Sequence, residues 1–158
     1  MAKFSEWVME EVNKPIMYHF EGTEKEYENH IVEHIDEICS GMGLPPVVLV
    51  CQQKQIRFDN NQIIVDIICR HADDSCTVFE VKKINKKHPH TSTNEQVKAI
   101  GQALLYKSVL GSKLGNVRVC VIAEKIFKRT LLCFSEFDLP ITLIEFQKDK
   151  VFVPYNKW

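Results

Sequence analysis

Between Ile63 and Lys83 the chain reads IIVDIICRHADDSCTVFEVKK, two apolar, β-branched runs separated by the polar cluster Ala72-Asp73-Asp74-Ser75. That pattern predicts a β-hairpin. In an antiparallel pair, facing residues have numbers with a constant sum, here about 146 for a turn centred near residue 73, and both side chains of a facing pair share one side of the sheet. Asp66 therefore opposes Glu80. Lys82, two residues on, joins them on the same face. Each of the three is set between hydrophobic neighbours, and a charge within a buried strand is costly unless it is paired or holds a cation. Two carboxylates with an ammonium beside them fit a divalent cation and a phosphate. A half-exposed hairpin with an ordinary cross-strand ion pair is the plainer alternative.

The rest of the chain decides between these. Its 158 residues, 45% hydrophobic and 26% charged, suit one soluble domain with a sizeable core. We read residues 1–158 as a single unit, with 1–22 an N-terminal helical extension and a core over about 24–147. No apolar run approaches the roughly 20 residues of a membrane span, and the acidic N-terminus is unlike a signal peptide, so a cytoplasmic protein with no membrane partner is expected. Six cysteines, none in a CxxC pair, lie mostly in apolar segments and read as reduced packing residues. The net charge of -1 hides an asymmetry: residues 1–50 hold 10 acidic and 3 basic side chains, and residues 51–158 hold 11 and 17. A polyanion should approach the second part.

In chain order, residues 4–12 (FSEWVMEEV) read as a short amphipathic helix ended by Pro15. Thr23-Glu24-Lys25-Glu26 is a capping box opening a helix to about Cys39, with Tyr27, Ile31, Ile35 and Ile38 buried. Glu28 lies at the edge of that face, either a solvated rim charge or a carboxylate aimed into a site on the sheet. His30 and His34 form an H-x-x-E-H pattern, which raises a zinc peptidase with Glu33 as base and, more plainly, two solvent-facing histidines. Val47–Phe58 holds strand-like material, with Gln55–Phe58 the strand before the hairpin. The loop 84–92 places Lys86, Lys87, His88 and His90 beside Lys82 and Lys83, a position suited to phosphate-backbone contacts. Ser92-Thr93-Asn94-Glu95 reads as a second capping box, for a helix closed by Gly111. Val97, Ile100 and Leu104 mark its packed side, and Gln102 is set among apolar residues. Val117–Ala123 has the composition of a buried parallel strand. A helix over 125–136 and strands over 141–146 and 151–154 follow.

The order helix, three-strand meander, helix, strand, with Asp66 on the second strand and Glu80-Val81-Lys82 on the third, resembles the PD-(D/E)XK nuclease superfamily. Val65 stands where that signature has proline. Glu28, in YENHIVEHI, and Gly101-Gln102-Ala103-Leu104-Leu105-Tyr106 are similar to two further motifs of its RecB-like and mismatch-type endonuclease members. The resemblance implies an α/β fold, an αβββαβ restriction-endonuclease-like core with a central mixed β-sheet flanked by helices.

It also implies a metal-dependent deoxyribonuclease hydrolysing phosphodiester bonds. Asp66, Glu80, the Val81 carbonyl and Glu28 would hold Mg2+ or Mn2+, hard cations that prefer oxygen. Lys82 would position water or stabilise the phosphate, Gln102 would orient Lys82 or contact the strand, and Tyr106 would support it. Lys83, Lys86, Lys87 and Tyr106 are the substrate-binding candidates. Nucleic acid, DNA before RNA, is the expected partner. One site per chain makes a homodimer or a specificity-supplying protein partner a corollary. The alternative is a catalytically inactive nuclease-fold module that binds nucleic acid or protein.

Overall fold

The computed structural model describes residues 20–85, 87 and 89–156. The amphipathic segment 4–12, Lys86 and His88 lie outside these residues. The elements run α1 (Glu24–Glu33), α2 (Ile35–Gly41), β1 (Val47–Phe58), β2 (Asn61–His71), β3 (Cys76–Lys82), α3 (Pro89–Leu114), β4 (Val117–Ala123), α4 (Lys128–Phe137), β5 (Thr142–Gln147) and β6 (Lys150–Tyr155). The six strands form one mixed sheet in sequential order. The pairs β1–β2, β2–β3 and β5–β6 are antiparallel, while β3–β4 and β4–β5 are parallel. Among the described residues no helix is long and apolar enough to cross a membrane, and all six cysteines are free.

The expected meander is present, and its hairpin has the expected register: Ile67 pairs with Phe79 and Cys69 with Thr77. Its turn is held by Asp73, whose Oδ1 accepts from the Ser75 amide at 3.0 Å and the Ser75 hydroxyl at 2.5 Å. This is the turn chemistry for which short polar side chains are favoured. β1 begins eight residues earlier than the strand expected at Gln55. The whole of Val117–Ala123 is buried, as a parallel strand between two others should be.

The sheet separates two apolar layers. On one side Tyr27, Ile31, Ile35 and Ile38 of α1 and α2 pack on Ile67, Phe79, Val81, Ile122 and Phe146. On the other, Ala99, Ile100, Ala103, Tyr106 and Leu110 of α3 and Phe134 of α4 cover Val78, Val119, Val121 and Leu143. Each fully buried Ile, Leu or Phe contributes about 1.5–3 kcal/mol, so the two layers supply most of the driving force for folding.

α4 begins at Lys128, three residues later than expected, and two other helices differ more. The first helix starts as predicted, the Thr23 hydroxyl accepting from the Glu26 amide at 3.1 Å, but it breaks at His34 (φ -110°, ψ 18°). There the imidazole Nδ1–H donates to the His30 carbonyl at 3.0 Å, while the His34 amide is shared between the His30 and Ile31 carbonyls. A side chain that competes for a helical acceptor disturbs the ladder. The second long helix begins at Pro89, where a proline suits the first turn, so Ser92 is internal and accepts from the Asn85 amide at 2.6 Å. It runs through Gly111 and ends before Gly115, whose φ of +76° permits the reversal. Val97, expected on the packed side, is exposed.

Candidate active site

The centre of the site is a gap between two strands. Ile67–Phe79 is the last β2–β3 pair, and the next bonded pair would have been Val65 with Val81. Instead the Val81 amide donates to Oδ2 of Asp66 at 2.9 Å. In an extended residue N–H and C=O project to the same edge, so the Val81 carbonyl faces the same gap. Burial changes sides at this point as well. Ile63 and Val65 join the α3 layer, whereas Ile67 and Cys69 join the α1 layer, although all four have the same parity. The exchange falls opposite Gln53 of β1, which has a φ of +50°.

Gln53 ties the site together. Its amide nitrogen donates to Glu28 Oε1 at 2.7 Å and to Asp66 Oδ1 at 3.2 Å. Glu28 Oε2 accepts from Gln52 at 2.7 Å and pairs with Lys25 at 2.7 Å. Glu28 is only 4% exposed, so of its two sequence readings the carboxylate aimed at the sheet is the one found.

Glu80 completes the acidic group from the far side of the gap. Its Oε1 pairs with Lys82 Nζ at 3.3 Å, and its Oε2 is buried with no hydrogen-bond partner among the described residues. A buried carboxylate oxygen without a partner is costly and marks a place where a cation or proton belongs. Burial, reinforced by Asp66, pushes the Glu80 carboxyl up to about 7, against the pull of Lys82. Asp66 is raised too, first by burial, with the Val81 amide and Gln53 opposing. Tyr106 stands behind the pair. Its hydroxyl donates to the Ile64 carbonyl at 3.1 Å, and burial together with Glu80 raises its pKa.

The remaining predicted site residues divide. Gln102 is exposed on α3, not enclosed by apolar neighbours, because the buried stripe of that helix passes through Ala99, Ala103 and Tyr106. Lys83 points away from the acidic group. Its ammonium pairs at 2.9 Å with Glu124, which is fully buried and also accepts from the Ile84 amide at 3.0 Å and the Phe20 amide. Lys87 is exposed. The structure thus brings Glu28, Asp66, Glu80, Val81, Lys82 and Tyr106 together, and leaves Gln102 and Lys83 outside that group.

No family model matches this chain, and no curated protein does. Among solved structures it is similar to a repair endonuclease from Pyrococcus abyssi, at 22% identity and a TM-score of 0.49 over 82% of this chain and 47% of that one. It is also similar to EndoMS in a complex with double-stranded DNA, at 18% identity and a TM-score of 0.47 over 84% and 49%. The chain spans about half the length of each.

Three residues that build the site are not among the candidates that the sequence singles out for it: Lys25, Gln52 and Gln53. Their signal was weak but present. Gln52 and Gln53 follow the apolar run Val47–Cys51 with two adjacent amides, an interruption of the strand pattern, and both reach Glu28.

Proposed function

We propose that this chain is a metal-dependent nuclease that hydrolyses phosphodiester bonds, in DNA by preference, through Asp66, Glu80 and Lys82. The observation that carries the reading is the partnerless, buried Glu80 Oε2 beside Asp66 and Lys82 at the point where β2 and β3 part. DNA is the substrate class that the motif resemblance implies.

The donors available in the gap are oxygens: the carboxylates of Asp66, Glu80 and Glu28 and the Val81 carbonyl. That set fits Mg2+ or Mn2+ and is ill suited to soft metals. When bound, such a cation supplies Lewis acidity toward a phosphoryl oxygen and lowers the pKa of a bound water. Lys82 places a positive charge beside the acidic group, where it can offset the negative charge that builds on a phosphate under attack and orient the water. Gln53 holds Glu28 and Asp66 at a fixed separation against their repulsion, so the donors are organised before substrate arrives. Tyr106 backs Glu80 from α3. Lys87 is available to the phosphate backbone, whereas the Lys83 charge is engaged by Glu124.

The test is cleavage of plasmid and single-stranded DNA by the purified chain in magnesium, manganese or EDTA, beside Asp66→Ala and Glu80→Ala. Cutting that needs the cation and disappears in both folded variants is expected. DNA retention without cutting would favour the inactive binding module. A homodimer, proposed from the single site per chain, would sediment as two copies on DNA.

A further inference from the structure

On the other side of α1 a second polar group has no role in the site above. Glu28 and His30 are two residues apart and so about 200° apart around the helix. While Glu28 meets β1, the imidazole of His30 stacks between Phe20 and Phe146, with ring centroids 5.1 and 5.4 Å away. His34, one turn on, lies with its ring centroid 4.4 Å from that of His30. Both Nε2 atoms point at one oxygen, Oδ1 of Asp149, at 2.9 Å from His30 and 3.4 Å from His34. Asp149 is presented by the two-residue turn between β5 and β6, in which Lys148 and Asp149 have φ of +46° and +60°. Paired positive φ values are the signature of the tight hairpin turn that matches strand twist.

We propose that His30, His34 and Asp149 form a binding site for a divalent transition-metal ion, with zinc the reference case, joining α1 to the β5–β6 turn. Three observations converge. The three ligand atoms lie within 4.8 Å of one another, and in a tetrahedral zinc site with bonds of about 2.0 Å the ligand atoms are about 3.3 Å apart. The His34 Nδ1–H is engaged by the His30 carbonyl at 3.0 Å, which leaves Nε2 as the free coordinating nitrogen. That arrangement, a ligand imidazole fixed by a carbonyl on its other nitrogen, is how proteins orient histidine toward a metal. Finally, Nε2 of His30 and Nε2 of His34 converge from α1 on one oxygen of Asp149, presented by a different element, so that one cation seated among them would meet three ligands at once.

The ligand set also chooses the metal. Two imidazoles and one carboxylate favour zinc and its neighbours over magnesium, which prefers oxygen alone. The side chains of His30 and His34 are 24% and 22% exposed, and that of Asp149 is 58% exposed, so solvent can fill a fourth position. Glu33 is exposed and outside the trio, so the site lacks the base that the H-x-x-E-H peptidase pattern requires. Its role is to hold the helix against the turn.

The test is calorimetric titration of the full metal-free chain with zinc chloride in millimolar magnesium, repeated for Glu80→Ala, His34→Ala and Asp149→Asn, with a thermal melt of each. Expected is one zinc equivalent that survives Glu80→Ala, weakens at least tenfold in His34→Ala and in Asp149→Asn, and raises the melting temperature of the parent chain. Absence of that equivalent, or its persistence in both ligand variants, overturns the proposal. Should His34→Ala fail to fold, Asp149→Asn decides alone, since it changes an exposed turn residue without altering its volume.

Discussion

The Val81 amide donates its hydrogen to the carboxylate of Asp66 at 2.9 Å, in the place where a strand-to-strand bond from Val65 would otherwise lie. One side chain thereby both ends the β2–β3 ladder and opens the gap that Glu80 and Glu28 face. Because Asp66 substitutes for a backbone acceptor, its orientation is set by the sheet, and rigid elements make precise sites.

The two adjacent lysines at the end of β3 should behave in opposite ways. Lys82→Ala should fold and bind cation normally while losing cleavage, because its charge lies beside Glu80 at the proposed reacting centre. Lys83→Ala should lose stability by about 3 kcal/mol, because Glu124 is fully buried and would lose its counter-charge. Urea melts and a plasmid cleavage assay on both variants check this. A Lys82→Ala protein unfolded by circular dichroism would contradict the division.

Gln53→Asn installs a residue that accepts the positive φ of this position and shortens the amide by one methylene, so it can no longer span Glu28 and Asp66. Cleavage, or the magnesium concentration needed for it, should worsen by about 10–100-fold, the usual effect of removing a group that orients metal ligands. The check is a magnesium titration of initial rate. An unaltered titration would mean that the two carboxylates do not need the clamp.

In EDTA the protein should lose stability as pH rises. The Glu80 carboxyl is raised from 4.5 to about 7, so the folded state holds this proton more tightly than the unfolded chain does. The resulting stabilisation is complete below about pH 4.5 and is lost as pH passes through 7, with Asp66 acting in the same direction. Relative to Glu80→Gln, the parent should lose up to about 3 kcal/mol between pH 5 and 8. Urea melts at four pH values measure it, and saturating magnesium should remove the trend by compensating the charge.

Gln102→Ala should change stability by less than about 0.5 kcal/mol, because the side chain is exposed. Any fall in cleavage in this variant therefore reports contact with substrate and not repair of a packing defect. Equal rates for parent and variant would remove Gln102 from the catalytic group.

Where sequence reading succeeded, the governing forces were local. Alternation about a polar turn is a two-residue rule, so the hairpin register and the grouping of Asp66, Glu80 and Lys82 followed directly, and the same alternation sends Lys83 to the opposite face. The Thr23 cap and the buried set Tyr27, Ile31, Ile35 and Ile38 followed from helical spacing. Helix ends were harder. The break at His34 depends on an imidazole reaching a carbonyl, and the start at Pro89 outcompeted a capping-box pattern three residues later. Gln102 has apolar flanking residues and yet is exposed, because on a long helix the direction of each side chain depends on which stripe meets the sheet.

Periodicity and turn chemistry act over a few positions, so the succession of helices and strands and the strand bearing each charged residue are legible in the chain, while the α/β core is what the motif resemblance implies. What those residues meet is set by packing between distant segments. Gln53 reaches Glu28 across 25 positions, Lys83 finds Glu124 from a neighbouring strand, and Asp149 arrives at His30 and His34 from the far end of the chain. Each of these contacts joins segments that have no local cue to one another. They are brought together because two apolar layers must close on opposite faces of one sheet, and the polar groups at the margins are satisfied by whatever that closure delivers.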